Sequence, residues 1–258
     1  MKRYICNQFI QNYVTKEMNS KNVLVTLSIL LFSATVTVPI AYAVDVFHKE
    51  ELPFGKPYED WVQDWWRWNA AIPGDPVTTF AGVKENGCLI NKEGPVVMLI
   101  DPAIGGEHHQ RCEISSNQGI LISAWSAECD GSVKGSENKS FKELSECARD
   151  QDLGKVTANV WVDNKPIAQV KAEDLKTTNL INATELATKG FNITTPENSN
   201  LAVDYPGTHL GAAHGWYIFL KPLPVGEHTV RYVNDVRETT LGAGNTNNAD
   251  ITYSLNVK

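Results

Sequence analysis

Residues 57–72 carry the strongest periodic signal in the chain. Tyr58, Trp61, Trp65, Trp68 and Ile72 recur three and four positions apart, so a helix would place them on one face. Glu59, Asp60, Gln63, Asp64 and Arg67 fall on the other. The spacing predicts an amphipathic helix that Pro57 opens and Pro73-Gly74 stops. After it the helical period fades. The apolar run at 95–100 reads as a buried strand, and 111–115 and 119–127 read as two more, with Ser116-Asn117-Gln118 as the turn between them. Residues 140–149 return to a helical pattern, with Ser140 and Glu143 at capping-box spacing.

From 156 the period is two. Val156, Ala158, Val160 and Val162 alternate with Thr157, Asn159 and Trp161, which predicts a strand with one inward face. Asp163-Asn164-Lys165-Pro166 turns it and 167–170 returns. Residues 171–212 are polar and punctuated, with Phe191 and Ile193 the clearest strand candidate, and a long, partly irregular insertion is expected there. A hairpin follows, from 215–220 through Pro222-Leu223-Pro224-Val225-Gly226 to 228–233. A Gly/Asn-rich loop at 242–248 leads to a last strand at 251–257. Many short strands with Gly, Pro and Asn turns predict a mainly β fold, an antiparallel β-sandwich of Ig-like or jelly-roll-like type. The Trp-rich helix and a short disulfide-stapled helix complete it.

One apolar run stands apart from this pattern. Residues 23–43 end in Ala41-Tyr42-Ala43, a small-x-small cleavage signature, which predicts a signal peptide over 1–43 and a single exported domain over 44–258. Ser28, Ser33, Thr35, Thr37 and Pro39 interrupt the run, making it marginal as a permanent membrane anchor, and membrane contact is expected only if this segment stays uncleaved. The stretch before it is long for a basic signal region, which marks Met18 as the expected start of translation. Removing 43 of the 258 residues leaves 215, and the 23 basic and 30 acidic side chains become 19 and 29, a net charge of −10. Such a chain repels phosphate backbones, so nucleic acid is not an expected partner.

Export changes the reading of the cysteines. Cys6 lies in the removed segment; Cys88, Cys112, Cys129 and Cys147 remain, an even number in an oxidising compartment. Two disulfides are expected, with three connectivities open and the pairings 88–112 and 129–147 favoured because each closes a local loop. Asn138, Asn182 and Asn192 each open an Asn-x-Ser/Thr sequon and are candidate glycan attachment sites, so the mature chain is expected to be a secreted or cell-surface glycoprotein.

The tryptophan-rich segment WVQDWWRWNAAIP, the strand GPVVML and the late hairpin GWYIFLKPLPVGEHTVRY resemble, in that order, those of a group of uncharacterised secreted proteins of bacteria and archaea. The resemblance covers most of the mature chain. It implies fold and compartment, and it supplies no catalytic residues.

Three sets of side chains are candidates for chemistry. Trp66 stands about 100° round the helix from Trp65, off the main stripe, and is the candidate semi-exposed platform for stacking a sugar ring. His108 and His109, with Glu107, and His209 and His214 could ligate a metal if their loops converge. Glu128 with Asp130, and Asp60 with Asp64, are carboxylate pairs of the kind a glycosidase needs across a cleft. No GxSxG, HExxH or P-loop occurs. The leading expectation is a non-catalytic secreted sandwich, needing no cofactor, that binds polysaccharide or an envelope protein. The alternatives are a metal-dependent extracellular enzyme using the loop histidines and a structural envelope component.

Overall fold

The computed structural model describes residues 44–74, 87–100, 105–199, 201, 203–237 and 247–258. The expected signal segment falls outside the described residues, as does 242–246 of the Gly/Asn-rich loop. Helix α1 is Tyr58–Ala71. Strands β1 (Ile90–Asn91), β2 (Val96–Leu99), β3 (Gly106–Ile114) and β4 (Gly119–Asp130) follow. After them come helix α2 (Phe141–Gln151) and strands β5 (Lys155–Val162), β6 (Lys165–Glu173), β7 (Lys176–Ile181), β8 (Thr184–Ala187), β9 (Phe191–Thr195), β10 (Gly207–Leu220), β11 (Gly226–Arg237) and β12 (Asn247–Val257).

The strands form two six-stranded sheets. The first runs β1-β2-β4-β10-β8, with β9 also paired to β10; the second runs β3-β12-β11-β5-β6-β7. The expectation of wholly antiparallel sheets needs one correction. Each sheet has a parallel pair, β2 with β4 and β3 with β12. The first arises because the chain leaves its sheet to add β3 to the other and comes back; β12 joins β3 only after two such excursions, through β4 and through β8 to β10, which a string of hairpins cannot do.

Alternation builds the layer between the sheets. Ile120, Ile122, Trp216, Ile218 and Leu220 of the first sheet are buried in one cluster with Val156, Val160, Val230, Tyr232, Ile251, Tyr253 and Leu255 of the second. Burying each such aliphatic side chain stabilises by about 1.5–3 kcal/mol. β4 bulges where Trp216 pairs with Trp125 but Tyr217 pairs with Ser123, and both Ala124 and Trp125 join this core. The extra residue swaps the faces of β4 beyond it. From Trp125 onward odd-numbered side chains point inward, and Ser126, Glu128 and Asp130 point out.

The outer face of the first sheet is covered by α1. Tyr58, Trp61, Val62, Trp65, Trp66 and Ala70 are buried against Leu121, Phe191, Ile193, Tyr217 and Phe219. The Trp65 indole N–H donates to Leu99 O at 2.7 Å and that of Trp61 to Pro53 O at 2.8 Å, so the polar edge of each ring is satisfied. At one end of the sandwich α2 is anchored by its capping box, Ser140 and Glu143 each bonding the other's backbone N–H. Leu144 and Ala148 pack on Ala212 and Cys129.

Segment 171–212 departs from expectation. It is not an irregular insertion: it holds the end of β6, all of β7, β8 and β9, and the start of β10. The β6–β7 turn is Asp174-Leu175, both at positive φ, as is Asp163-Asn164 between β5 and β6. This is the twist that two-residue hairpins require.

The cysteines pair as favoured from loop length, Cys88 with Cys112 and Cys129 with Cys147. The first ties the segment before β1 to edge strand β3, and the second ties α2 to β4. Replacing Cys129 and Cys147 together by serine should cost about 3 kcal/mol, through restored freedom of the unfolded chain. Thermal unfolding of the double variant reads this as a midpoint ~6–12 °C lower. An unchanged midpoint would contradict the clamp.

Candidate functional site

The four histidines expected to ligate a metal do not come together. His108 and His109 lie on β3 of the second sheet, His209 and His214 on β10 of the first. His108 Nε2 is 2.7 Å from Gly105 O, His109 Nε2 3.0 Å from Glu107 Oε1, and His209 Nε2 2.8 Å from Tyr205 O. Among the described residues no group of three or more His, Cys, Asp or Glu side chains could hold a metal ion.

Trp66 is not the expected platform. It is 4 % exposed, its indole N–H donates to Tyr217 Oη at 3.1 Å, and its ring meets Trp65 edge-on. The buried stripe of α1 is wider than the 61-65-68 spacing implied and includes Val62, Trp66 and Ala70, while Trp68 is only half-buried. Asp64 is held by Arg67 at 2.7 Å and by Lys56, as a solvated helix face would have it. Asn138, Asn182 and Asn192 are exposed, although the Asn182 amide donates to Ile167 O at 2.7 Å. His228 pins its hairpin, with Nδ1 2.8 Å from Asp163 Oδ2 and Nε2 2.9 Å from Pro224 O.

His214 is the exception among the histidines. It is 2 % exposed, with Nδ1 2.7 Å from Asp152 Oδ2 and Nε2 3.5 Å from Glu185 Oε1. Glu185 Oε2 accepts from the Thr177 hydroxyl at 2.6 Å, and that hydroxyl accepts from the Trp216 indole N–H at 3.2 Å. The network joins the end of α2, β8 and β10 of the first sheet, and β7 of the second. Burial pushes the Asp152 carboxyl up to about 6, against the opposing pull of His214. The arrangement is a closed polar clamp, sealed from solvent at its centre.

The open polar surface is the outer face of the second sheet, where the outward side chains are half-buried or exposed. Pairing register sets neighbours across it. Arg231 lies between Trp161 and Thr252, and Val233 between Asn159 and Asp250. The half-buried Trp161 ring has the Arg231 guanidinium over it at 5.4 Å, and Arg231 binds both Asp250 oxygens, with Nε to Oδ1 at 2.7 Å. Arg231 thereby holds the Asp250 carboxyl below its usual range. Beside them runs an amide ladder, in which Gln169 donates to Asn159 Oδ1 at 2.7 Å and Asn179 donates to Gln169 Oε1 at 2.6 Å. The ladder leaves a donor at its Asn159 end and an acceptor at its Asn179 end. Two further pairs on this face are Arg237 with Asp235 and His109 with Glu107.

Of these groups the sequence pattern placed only Thr157, Asn159 and Trp161 together, as the outward half of one alternating strand. The partners come from strands up to about 90 residues away in the chain, and no local spacing announces them. Comparison with known proteins returns no matching family model, no matching curated protein and no matching solved structure.

Proposed function

We propose that this chain is an exported, disulfide-locked β-sandwich that acts by binding, and that the open face of its second sheet holds a polysaccharide of uncharged sugars. The observation that carries the reading is the grouping of Trp161, the Arg231–Asp250 pair and the Asn159–Gln169–Asn179 ladder on one sheet face. An aromatic ring covers the C–H face of a sugar, while amides and a guanidinium–carboxylate pair offer donors and acceptors to its neighbouring hydroxyls. Beside Trp161 the guanidinium of Arg231 is already matched by Asp250, which favours an uncharged ligand there over an anionic one.

Export is part of the proposal. It is supported by the apolar run ending in Ala41-Tyr42-Ala43, by two disulfides, and by the resemblance to a secreted group. Among the described residues no helix is long and apolar enough to cross a membrane. Asn138, Asn182 and Asn192, exposed as they are, are read as the positions where a glycosylating host would attach glycans.

The test is co-sedimentation of the mature domain with insoluble cellulose, chitin and purified cell wall, repeated with Trp161→Ala. The expected result is retention on at least one of these and a loss of at least tenfold in the variant, the scale of one lost stacking contact. Equal retention of both proteins would contradict this face as the site, and no retention on any of the three would remove the reading.

A further inference from the structure

A second, separate feature lies on β4 beyond its bulge. Glu128 and Asp130 are two residues apart on one strand face, beside Gly211 of β10. A Cβ at position 211 would meet Glu128 Oε1 at 2.9 Å, so the glycine is what lets the Glu128 carboxylate lie against β10, while Asp130 would be in ordinary contact at 3.5 Å. Asp130 is 4 % exposed. Its Oδ1 accepts from the Ser132 N–H at 2.7 Å, while Oδ2 is sealed from solvent and has no partner among the described residues. Glu128 Oε1 is sealed and unpartnered in the same way.

Buried polar atoms are almost always satisfied, so two orphaned carboxylate oxygens on one strand face call for something to neutralise them. An ordinary structural pair would have an arginine or lysine here. The ion-paired lysines and arginines bond other carboxylates: Lys56 and Arg67 bond Asp64, Lys221 bonds Asp45, Lys258 bonds Glu113. We propose that Glu128 and Asp130 are the two carboxylate ligands of a calcium ion, with main-chain carbonyls and water completing its shell. The donors are hard oxygens only, which selects against zinc and copper. Burial favours an ion that sheds water readily, so calcium over magnesium.

The site is independent of polysaccharide binding and of the histidines. Its test uses the purified exported protein, stripped with EDTA and dialysed against about 5 mM calcium chloride, above the affinity range of extracellular calcium modules. Elemental analysis should find ~1 calcium per chain, and the thermal midpoint should rise by about 3 °C or more. Glu128→Gln and Asp130→Asn should abolish both effects. Calcium near zero in the native protein would overturn the proposal, and that measurement stands even if a variant does not fold. An equal calcium response in Glu128→Gln would overturn it too, and an equal rise with magnesium chloride would overturn the choice of calcium.

Discussion

Gly215→Ala is expected to abolish soluble, folded protein. Gly215 sits in β10 opposite Ser126 of β4, one residue before the bulge. A Cβ there would lie 2.3 Å from Ser126 Cβ, 2.5 Å from Trp125 O and 2.6 Å from Ser126 Cα. The backbone at 215 has φ 159°, which L side chains rarely adopt, and the two strands approach closely there, so conformation and space both demand glycine. β4 and β10 are the central pair of the first sheet, and both cores rest on them. Separating them would loosen Trp216 on one face and Tyr217 on the other, so the loss should exceed about 4 kcal/mol. Removing the Ser126 side chain should not help, because two of the three close atoms are backbone. Expression and circular dichroism of Gly215→Ala and of Gly215→Ala/Ser126→Gly check this. A folded single variant, or rescue by the second change, would show that the strands can part cheaply.

The second large effect is expected at the buried clamp. Asp152→Ala should cost about 3 kcal/mol, because it leaves His214 Nδ1 sealed in the interior without its partner and only the longer Glu185 contact at Nε2. For a domain of this size that is a midpoint ~6–12 °C lower. His214→Ala should cost a similar amount, and the double variant clearly less than the sum, since the second change removes an orphan the first created. The clamp also fixes a pH trend. Asp152 titrates near 6 when folded and near its ordinary value of 3.8 when unfolded. Between those values the folded chain holds the extra proton. The stability this group contributes is therefore full below about pH 4 and is lost as pH rises through about 6. Asp152→Asn should remove that part of the slope. A variant whose stability tracks the native protein across this window would contradict the assignment.

Much of the architecture was legible in the sequence where local physics decides. α1 lies at 58–71 against an expected 57–72, the capping box opens α2, and the disulfides pair the four cysteines two by two in chain order. What local pattern could not give was placement in space. β3 begins at Gly106 rather than near 111 because its first residues, Glu107, His108 and His109, sit on a sheet edge where no apolar alternation is needed. β7 reads as loop for the same reason, with Thr, Asn and Lys filling an exposed edge strand.

Trp66 shows a different limit. A stripe read from spacing alone assumes one flat contact. The first sheet, with β9 beside it, covers α1 over a wider arc and closes over a ring that spacing alone leaves outside. Conversely, Trp161 looks in sequence like one polar-side residue among many. It becomes a candidate only when β6, β7, β11 and β12 bring their amides and charges beside it.

The proposed recognition rests on Trp161 and its neighbours, while Trp61, Trp65 and Trp66 of α1 are core. Proton–nitrogen correlation spectra resolve all seven indole N–H groups and the side-chain amides. On titration with soluble oligosaccharides from the retained polysaccharide, the Trp161 indole and the Asn159, Gln169 and Asn179 amides should shift together while Trp61, Trp65 and Trp66 stay fixed. Shifts confined to the α1 indoles, with Trp161 unmoved, would contradict the account.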